Sequence, residues 1–348
     1  MTENRSREVD AGPGNTSRSA ASLKFVGFLK RRLITVSLLL ICVLMMTTIA
    51  TLFSRVNWLA DLCANLRVQQ MIALVPLTIV VVLFRRWSWF AICMVLVAVH
   101  VPAFRTAWKV PPAGGVQGSK IVVMTANVWT PNSQHELIVQ QIRDADPDVF
   151  TVLELGTPLK LRLEKELAAL YPHQFAFPQD DGNFGIGLYS KHPLEGTTSF
   201  ALNNDRVLSL AATVMVDSRR YRVFATHPLP PKDASNFQSR NTHLDQLAAK
   251  VRLQQESDDD VSVIIMGDLN LTPWSPLFDR FQADTQTHRA SCGNGITPTW
   301  YAHADASFPF GLVLDHVLTS DDLRCDSYRV GPAIGSDHRA VIVSLSGQ

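Results

Sequence analysis

The chain has 348 residues and a formal net charge of +1. It is too long for a single ordinary domain to be the default, and too nearly neutral for overall charge to argue for nucleic acid. Its five cysteines include no CxxC pair, so neither a zinc module nor a disulfide framework organises it.

Residues 1–22 are rich in Ser, Asn, Gly and charge and poor in large apolar residues, the composition of a disordered tail. Lys24, Lys30, Arg31 and Arg32 extend this to a basic segment, 1–32. Leu33 to Phe53 is an uncharged apolar run long enough to cross a membrane. A cleaved signal peptide would have a shorter core and would not be followed by further apolar segments. Two follow: about 68–84, and about 87–104 bordered by Trp87 and Trp89, which suit a membrane boundary. Arg85 and Arg86 make the tight turn between them. With three spans, the basic cluster and this turn share one side, while Arg55, Arg67, Arg105 and Lys109 are dispersed on the other. The bias of basic residues toward the cytoplasm then predicts an integral protein of the plasma or inner membrane with an outward C-terminal domain. The lipid bilayer is thus an expected partner; the alternative is a helical hairpin buried in a soluble core. Cys42, Cys63 and Cys93 lie in this apolar third as small hydrophobes. Pro111 to Gly118 is Pro/Gly-rich, so 105–118 is expected to be a linker from which 119–348, enough for one large core, hangs close to the bilayer without packing into it.

The remainder alternates apolar strands with helical stretches. Ile121 to Trp129 is a strand with Asn127 near its end. Asn132 to Ala145 has helical periodicity. Asp148 to Leu155 is a strand ending in Glu154, a lone acid in a run of Val, Phe and Leu, expensive to bury without a metal or a salt bridge. Pro158 to Leu170 is an amphipathic helix. Gly182 to Ser190 is a glycine-rich loop entering a strand; it lacks the Lys-Ser/Thr of a phosphate loop. Val207 to Val216 and Arg219 to Thr226 form a hairpin about Asp217-Ser218, and His227 follows directly. Asn241 to Gln255 is helical. Val261 to Asn270 is a buried strand in which Gly267 relieves a Cβ clash, and alternation puts Asp268 and Asn270 on one face; an Asx turn is the plainer reading. Pro298 to Trp300 interrupts a polar loop. Gly311 to Thr319 is a strand on which Asp315 and His316 must face opposite ways. Gly335 to Leu345 sets Asp337 and His338 just before a final strand. Cys292 and Cys325 can pair only outside the cytosol.

An acid, His or Asn thus recurs at nearly every strand end: Asn127, Glu154, His227, Asp268, Asn270, Asp315, Asp337 and His338. Oxygen donors with His and no Cys suit a hard divalent ion, Mg²⁺ or Mn²⁺. Such an ion can hold a phosphate ester while His supplies acid or base near neutral pH.

The series Thr125-Ala-Asn-Val-Trp129, Leu153-Glu-Leu155, Thr226-His-Pro228, Gly267-Asp-Leu-Asn270, Leu314-Asp-His316 and Gly335-Ser-Asp-His338 resembles the endonuclease/exonuclease/phosphatase superfamily, the DNase I-like fold, over about residues 119–346. The resemblance implies an α+β fold, a four-layer sandwich of two β-sheets flanked by helices. It implies that Glu154 binds the metal with Asn127 and Asp337 beside it. His338 would be the base or the electrostatic partner at the phosphate, oriented by Asp315. Asp268 would position or deprotonate the attacking water, Asn270 would hold the phosphate, and His227 would donate to a phosphate oxygen; no sequence signal supplies His227 with an acidic partner. The Trp-Cys-Asp-Arg type signature of inositol polyphosphate 5-phosphatases is missing near Asp315. Lys191, Arg206 and Arg240 are too few to make a DNA groove. The expected activity is metal-assisted hydrolysis of a phosphodiester, nuclease-like. The alternatives are a phospholipid or sphingomyelin-type phosphodiesterase, a phosphomonoesterase, or a non-catalytic binding module on the same fold.

Overall fold

The computed structural model describes residues 14–105, 107–108, 119–203, 207–258, 260–303 and 306–347. Helix α1 (Gly14–Ala50) carries into a 3-10 turn at Thr51–Phe53, and its Gly14–Arg32 part is helical rather than a disordered tail. A short helix, α2 (Trp58–Asn65), is capped by Asn57, whose side chain accepts from the Ala60 N–H. It meets α3 (Arg67–Leu83) at a 63° bend. Arg85, in the left-handed region (φ 55°), turns the chain into α4 (Trp87–His100) and a 3-10 turn to Phe104. Two helical stretches, Ser22–Phe53 and Trp87–Phe104, are long and apolar enough to span a membrane, and the bent α2–α3 pair makes a third if it counts as one span. Ile41, Leu74, Val81, Cys93 and Leu96 pack between the helices, while Leu39, Met46, Val75, Ile79 and Val95 point outward. An apolar exterior of this kind is what lipid rather than water rewards.

The rest is a sandwich of two six-stranded sheets. Chain order runs β1 (Lys120–Asn127), α5 (His135–Ala145), β2 (Val149–Leu153), α6 (Thr157–Leu167), β3 (His173–Phe177), β4 (Ile186–Ser190), β5 (Glu195–Ala201), β6 (Leu208–Val216) and β7 (Arg219–Thr226). It continues through α7 (Ala234–Ser257), β8 (Val261–Asp268), α8 (Pro276–Thr285), β9 (Thr287–Arg289), β10 (Trp300–Tyr301), β11 (Gly311–Leu312), β12 (Asp315–Ser320), β13 (Leu323–Val330) and β14 (Val341–Gly347). One sheet has the order β13-β14-β1-β2-β4-β3 and the other β5-β6-β7-β8-β12-β9. Each holds one parallel pair, β1 with β2 through the crossover helix α5 and β7 with β8 through α7; the other pairs within these two sheets are antiparallel.

Alternation along the strands builds the layers. Ile121, Val123, Leu210, Val223, Ile264 and Val343 fill the space between the sheets. Met124, Ala126, Phe150 and Val152 face α5 and α6 on one outer side, and Phe224, Val263 and Ile265 face α7 and α8 on the other. The result is the expected four-layer α/β/β/α sandwich of the DNase I-like fold. Gly267 sits opposite Thr226 in the β7–β8 pair: a Cβ there would lie 1.9 Å from the Thr226 carbonyl oxygen, and its φ is 154°. Only glycine permits that approach.

The sandwich packs directly against the helical bundle. Phe104 and Ala107, placed at the end of the last span and in the linker, pack with Val68 against Trp274 and Val313. The Gly295 N–H donates to the Ala107 carbonyl. The Gln69 side chain donates to the carbonyls of Pro309 and Gly311. Residues 109–118, the core of the expected linker, lie outside the described residues, as do residues 1–13 of the expected tail.

Candidate active site

The parallel pairs end at the same edge of the sandwich, and β12 and β14, running antiparallel beside β8 and β1, begin there. Side chains at four strand ends and two strand starts therefore converge. Asn127 closes β1, and its Nδ2 donates to Glu154 Oε1 (3.0 Å) and to Asp268 Oδ2 (3.3 Å). Its Oδ1 accepts from the Trp129 N–H. Glu154 follows β2 at φ 58°, a left-handed conformation that a glutamate holds only when its surroundings impose it. Those surroundings are the bonds from Leu155 N to the Gly185 carbonyl and from Thr130 Oγ1 to the Glu154 carbonyl. Glu154 is buried and its Oε2 has no partner among the described residues.

Asp268 closes β8. Its Oδ1 accepts from the Asn270 N–H (2.8 Å), while its Oδ2 faces His227 Nε2 at 3.5 Å and His338 Nε2 at 3.6 Å. Asp268 is the acidic partner of His227 that the sequence did not reveal. It is read from pairing: Thr226 lies opposite Gly267, so the next residues of β7 and β8 are neighbours. Asn270 reaches the cleft differently from the expectation. The strand stops at Asp268, and Asn270 takes φ 49° in an Asx turn, its side chain donating to the Pro228 carbonyl. The plain turn and the functional placement are the same feature.

Asp315 begins β12 opposite Asp268. Its Oδ2 lies 2.8 Å from His338 Nδ1, and its N–H donates to Thr299 Oγ1. His316 faces away as strand parity demands, its Nε2 against the Leu271 carbonyl and its ring beside Phe278; burial pushes it down to about 3. Ser336 ties the approach to β14 onto β1, donating to the Asn127 carbonyl and accepting from the His338 N–H. Asp337 lines the same cleft, with Oδ2 accepting from Trp300 Nε1 at 2.8 Å.

The electrostatics follow from burial and proximity. Burial favours a neutral Glu154 and raises it, against the lowering effect of His227 and Asn127. Burial opposes charge on both histidines, but nearby carboxylates outweigh it: Asp268 and Glu154 raise His227, and Asp315 and Asp268 raise His338. Burial likewise opposes ionisation of Asp268, yet His338 and His227 hold it well below the usual carboxylate range. Burial, helped by the Asp268 charge, raises Asp315 toward its neutral form, against the lowering effect of His338 and Thr299. The 2.8 Å contact, with a second carboxylate on the far ring nitrogen, decides for a charged His338–Asp315 pair.

Asp268, Asp315 and His338 have potential ligand atoms within 4.8 Å of one another. His338 joins the two carboxylates, hydrogen-bonded to Asp315 through Nδ1 at 2.8 Å and ion-paired with Asp268 through Nε2 at 3.6 Å. The orphaned Glu154 Oε2 is the buried polar atom that calls for a cation, and Asn127 and Asp337 add only oxygen and amide donors. This set fits a hard divalent ion.

The cleft measures about 640 Å³ and is lined by Trp129, Phe184, Pro230, Pro231, Trp300, Leu312 and Leu314 around the polar floor. Leu62 and Asn65 of α2 complete one wall. No sequence pattern places these aromatic and α2 residues here, since they come from loops, the short β10–β11 pair and a separate helix. Of the basic residues weighed for a DNA groove, Lys191 binds Asp146 at the other end of β4, Arg240 is buried against Asp61, and Arg206 lies outside the described residues. Lys232, not considered, lines the cleft.

A two-sheet sandwich with carboxylates and imidazoles at one edge defines a hydrolase of phosphate esters. The chain belongs to the Endonuclease/Exonuclease/phosphatase family, whose sequence model matches residues 124–338, more than half of it. Among solved structures it is similar to an endonuclease/exonuclease/phosphatase from Beutenbergia cavernae DSM 12333, at 22% identity and a TM-score of 0.54, covering 66% of this chain and 72% of that one. It is similar to TDP2 from C. elegans (14% identity, TM-score 0.56, 67% and 77% covered). It also resembles the human Nocturnin catalytic domain (18%, TM-score 0.52, 67% and 97%). A comparison with curated protein sequences returns no match.

Proposed function

We propose that this protein is a membrane-anchored, metal-dependent phosphodiesterase. One observation carries the reading: Glu154, whose buried Oε2 has no partner among the described residues, lines one cleft with Asp268 and His338. Glu154 and Asn127, with Asp337, would hold Mg²⁺ or Mn²⁺. When bound, such an ion neutralises charge on a phosphoryl oxygen. Asp268 accepts the proton of the attacking water and aims it. Protonated His338, held by Asp315, and protonated His227 put positive charge beside Asp268, which their Nε2 atoms face, and so beside the phosphate. The Asn270 carboxamide supplies a donor, and Asp337 keeps the Trp300 ring against the cleft.

A lipid head group is the substrate class that the lining favours over nucleic acid. The walls are apolar and aromatic, with Lys232 as the cation among them. Phe308 and Phe310, on the loop that Gln69 anchors beside the helical bundle, are 55% and 72% exposed. Sphingomyelinase C from Streptomyces griseocarneus shares the fold (18% identity, TM-score 0.50, 65% and 99% covered). The basic clusters at the far end of the bundle and the Cys292–Cys325 disulfide support a catalytic domain outside the cytoplasm.

The test is the full-length chain in detergent, with Mg²⁺ or Mn²⁺, on bis(p-nitrophenyl) phosphate, p-nitrophenyl phosphate, single-stranded DNA, RNA, and phosphatidylglycerol or sphingomyelin vesicles. Hydrolysis of diesters above the monoester, abolished by EDTA and faster on vesicles than on nucleic acid, is expected. Turnover that survives EDTA would refute the metal role; faster cleavage of DNA or RNA would replace the lipid reading with the nuclease one.

A further inference from the structure

Helix α2 lies between two apolar helices, outside the region that the family match covers, yet it touches the catalytic loop directly. Asp61 and Asn65 sit one turn apart on its sandwich-facing side. Arg240 of α7 and Asp61 are each fully buried, and Arg240 Nη1 donates to Asp61 Oδ2 at 2.8 Å. The same Nη1 donates to the Asn270 carbonyl at 3.1 Å. Asn65 Oδ1 accepts from both the N–H and the hydroxyl of Thr272, each at 2.8 Å, and the Asn65 carbonyl accepts from Trp274 Nε1 at 2.8 Å. Asn65 Nδ2 donates back to the Asp61 carbonyl and carboxylate, so the two act as one unit.

The held segment matters because it has left the sheet. Beyond Leu269, which bonds the Leu314 carbonyl, no ladder bond among the described residues continues the strand, and the segment is held by side chains, His316 on the Leu271 carbonyl among them. Asn270 is left-handed and its N–H orients Asp268 Oδ1. A left-handed asparagine with its carbonyl turned from the ladder needs outside contacts to persist: Arg240, paired with Asp61 of α2, takes its carbonyl, Pro228 its side chain, and Asn65 of α2 holds Thr272 and Trp274 beyond it.

We propose that α2 is a working part of the active site. Asp61 through Arg240, and Asn65 through Thr272 and Trp274, hold residues 268–274 in the geometry that sets Asp268 against His227 and His338 and keeps Asn270 at the cleft. Both are positioning residues, and the proposal rests on the phosphodiesterase reading above. A merely mechanical role, docking the sandwich onto the helices, is the competing account. Gln69 supplies the control, since it bonds the same domain at Pro309 and Gly311 without touching 268–274.

The experiment uses full-length protein in detergent with Mn²⁺ and bis(p-nitrophenyl) phosphate, comparing N65A, D61N and Q69A. Steady-state kinetics are paired with amide hydrogen exchange over 268–274. N65A and D61N are expected to lower kcat by about ten- to a hundredfold, the scale of a small misplacement of reacting groups, with little change in KM and faster exchange in the loop. Q69A is expected to leave exchange over 268–274 unchanged. Removing Asp61 alone leaves the Arg240 charge buried and unpaired, a change that can unfold the chain. The double variant D61L/R240M replaces the pair with apolar side chains and is expected to fold with low kcat. A folded N65A or D61L/R240M with wild-type kcat and unchanged exchange overturns the proposal. If wild type hydrolyses no ester, the phosphodiesterase reading fails, and loop exchange in N65A still decides the clamp.

Discussion

In the proposed chemistry Glu154 is the metal ligand: its buried Oε2, without a partner among the described residues, is a cost that a bound cation would offset. The substitution E154Q keeps the shape and the Asn127 contact but removes the charge. It is expected to abolish metal-dependent turnover and weaken Mn²⁺ binding, measured by isothermal titration, while thermal unfolding still shows a folded chain. Full activity, or undiminished Mn²⁺ affinity, would exclude Glu154 as a ligand. His338 is judged by its partner. H338A is expected to lower turnover by about a hundredfold or more, the scale of a positioned acid–base group, and D315N to lower it too by weakening the hold on Nδ1. A silent D315N beside a severe H338A would break the pair. Much at this scale was legible in the sequence, because a polar residue ending an apolar strand is anomalous on its own. Asn127, Glu154, His227 and Asp268 stood out that way, and strand parity separated Asp315 from His316. The partner of His227 was not legible, since it depends on which strand lies beside β7. Asn270 reaches the cleft through an Asx turn rather than by alternation, because the strand ends two residues earlier.

At the scale of elements, one unit is used twice. A strand, a crossover helix and a parallel strand occur as β1–α5–β2 and β7–α7–β8, and the four carboxyl ends deliver Asn127, Glu154, His227 and Asp268. The close approach at Gly267 sets the spacing of the second unit. In G267A the new methyl would meet the Thr226 carbonyl at 1.9 Å, so β7 and β8 must part. About 2–3 kcal/mol of destabilisation is expected, read from chemical unfolding, together with loss of activity as His227 and Asp268 separate. A variant as stable and active as wild type would show that the approach is not required. The buried strands were legible because they are continuous apolar runs. Those missed have physical excuses. β5 is exposed along nearly its whole length, so no alternation marks it. A bulge between Cys325 and Ser327 breaks the pattern of β13. The eight-residue α2 is too short to be stable by propensity and owes its form to packing.

For the whole molecule, the question is which side of a membrane the cleft faces. The end of α1, the start of α3 and the end of α4 meet beside the sandwich: Thr48 Oγ1 lies 3.0 Å from His100 Nε2, and Arg67 Nη2 donates to Thr51 Oγ1. Lys24, Lys30, Arg31 and Arg32 lie toward the start of α1, and Arg85 and Arg86 in the α3–α4 turn, all toward the opposite end. If the bundle crosses a membrane, the bias of basic residues puts that opposite end in the cytoplasm and the sandwich outside. The disulfide gives an independent reason. Cys292 and Cys325, with Cα atoms 5.6 Å apart, tie the loop after β9 to β13, and such a bond persists in an oxidising compartment. Closing a loop across 33 residues of sequence stabilises by about 3–4 kcal/mol in the chain-entropy account, so C292S/C325S is expected to lower the unfolding temperature of protein recovered from the membrane. An unchanged temperature would mean that the two thiols are reduced in place. Orientation itself is tested with C-terminal fusions in a bacterial host, alkaline phosphatase in one and a cytoplasmic fluorescent protein in the other. An active phosphatase with a dark fluorescent partner is expected. The reverse pattern would mean an even number of crossings, with the bent α2–α3 pair entering and leaving on one side. The cleft would then face the cytoplasm, where nucleic acid again competes with lipid as substrate.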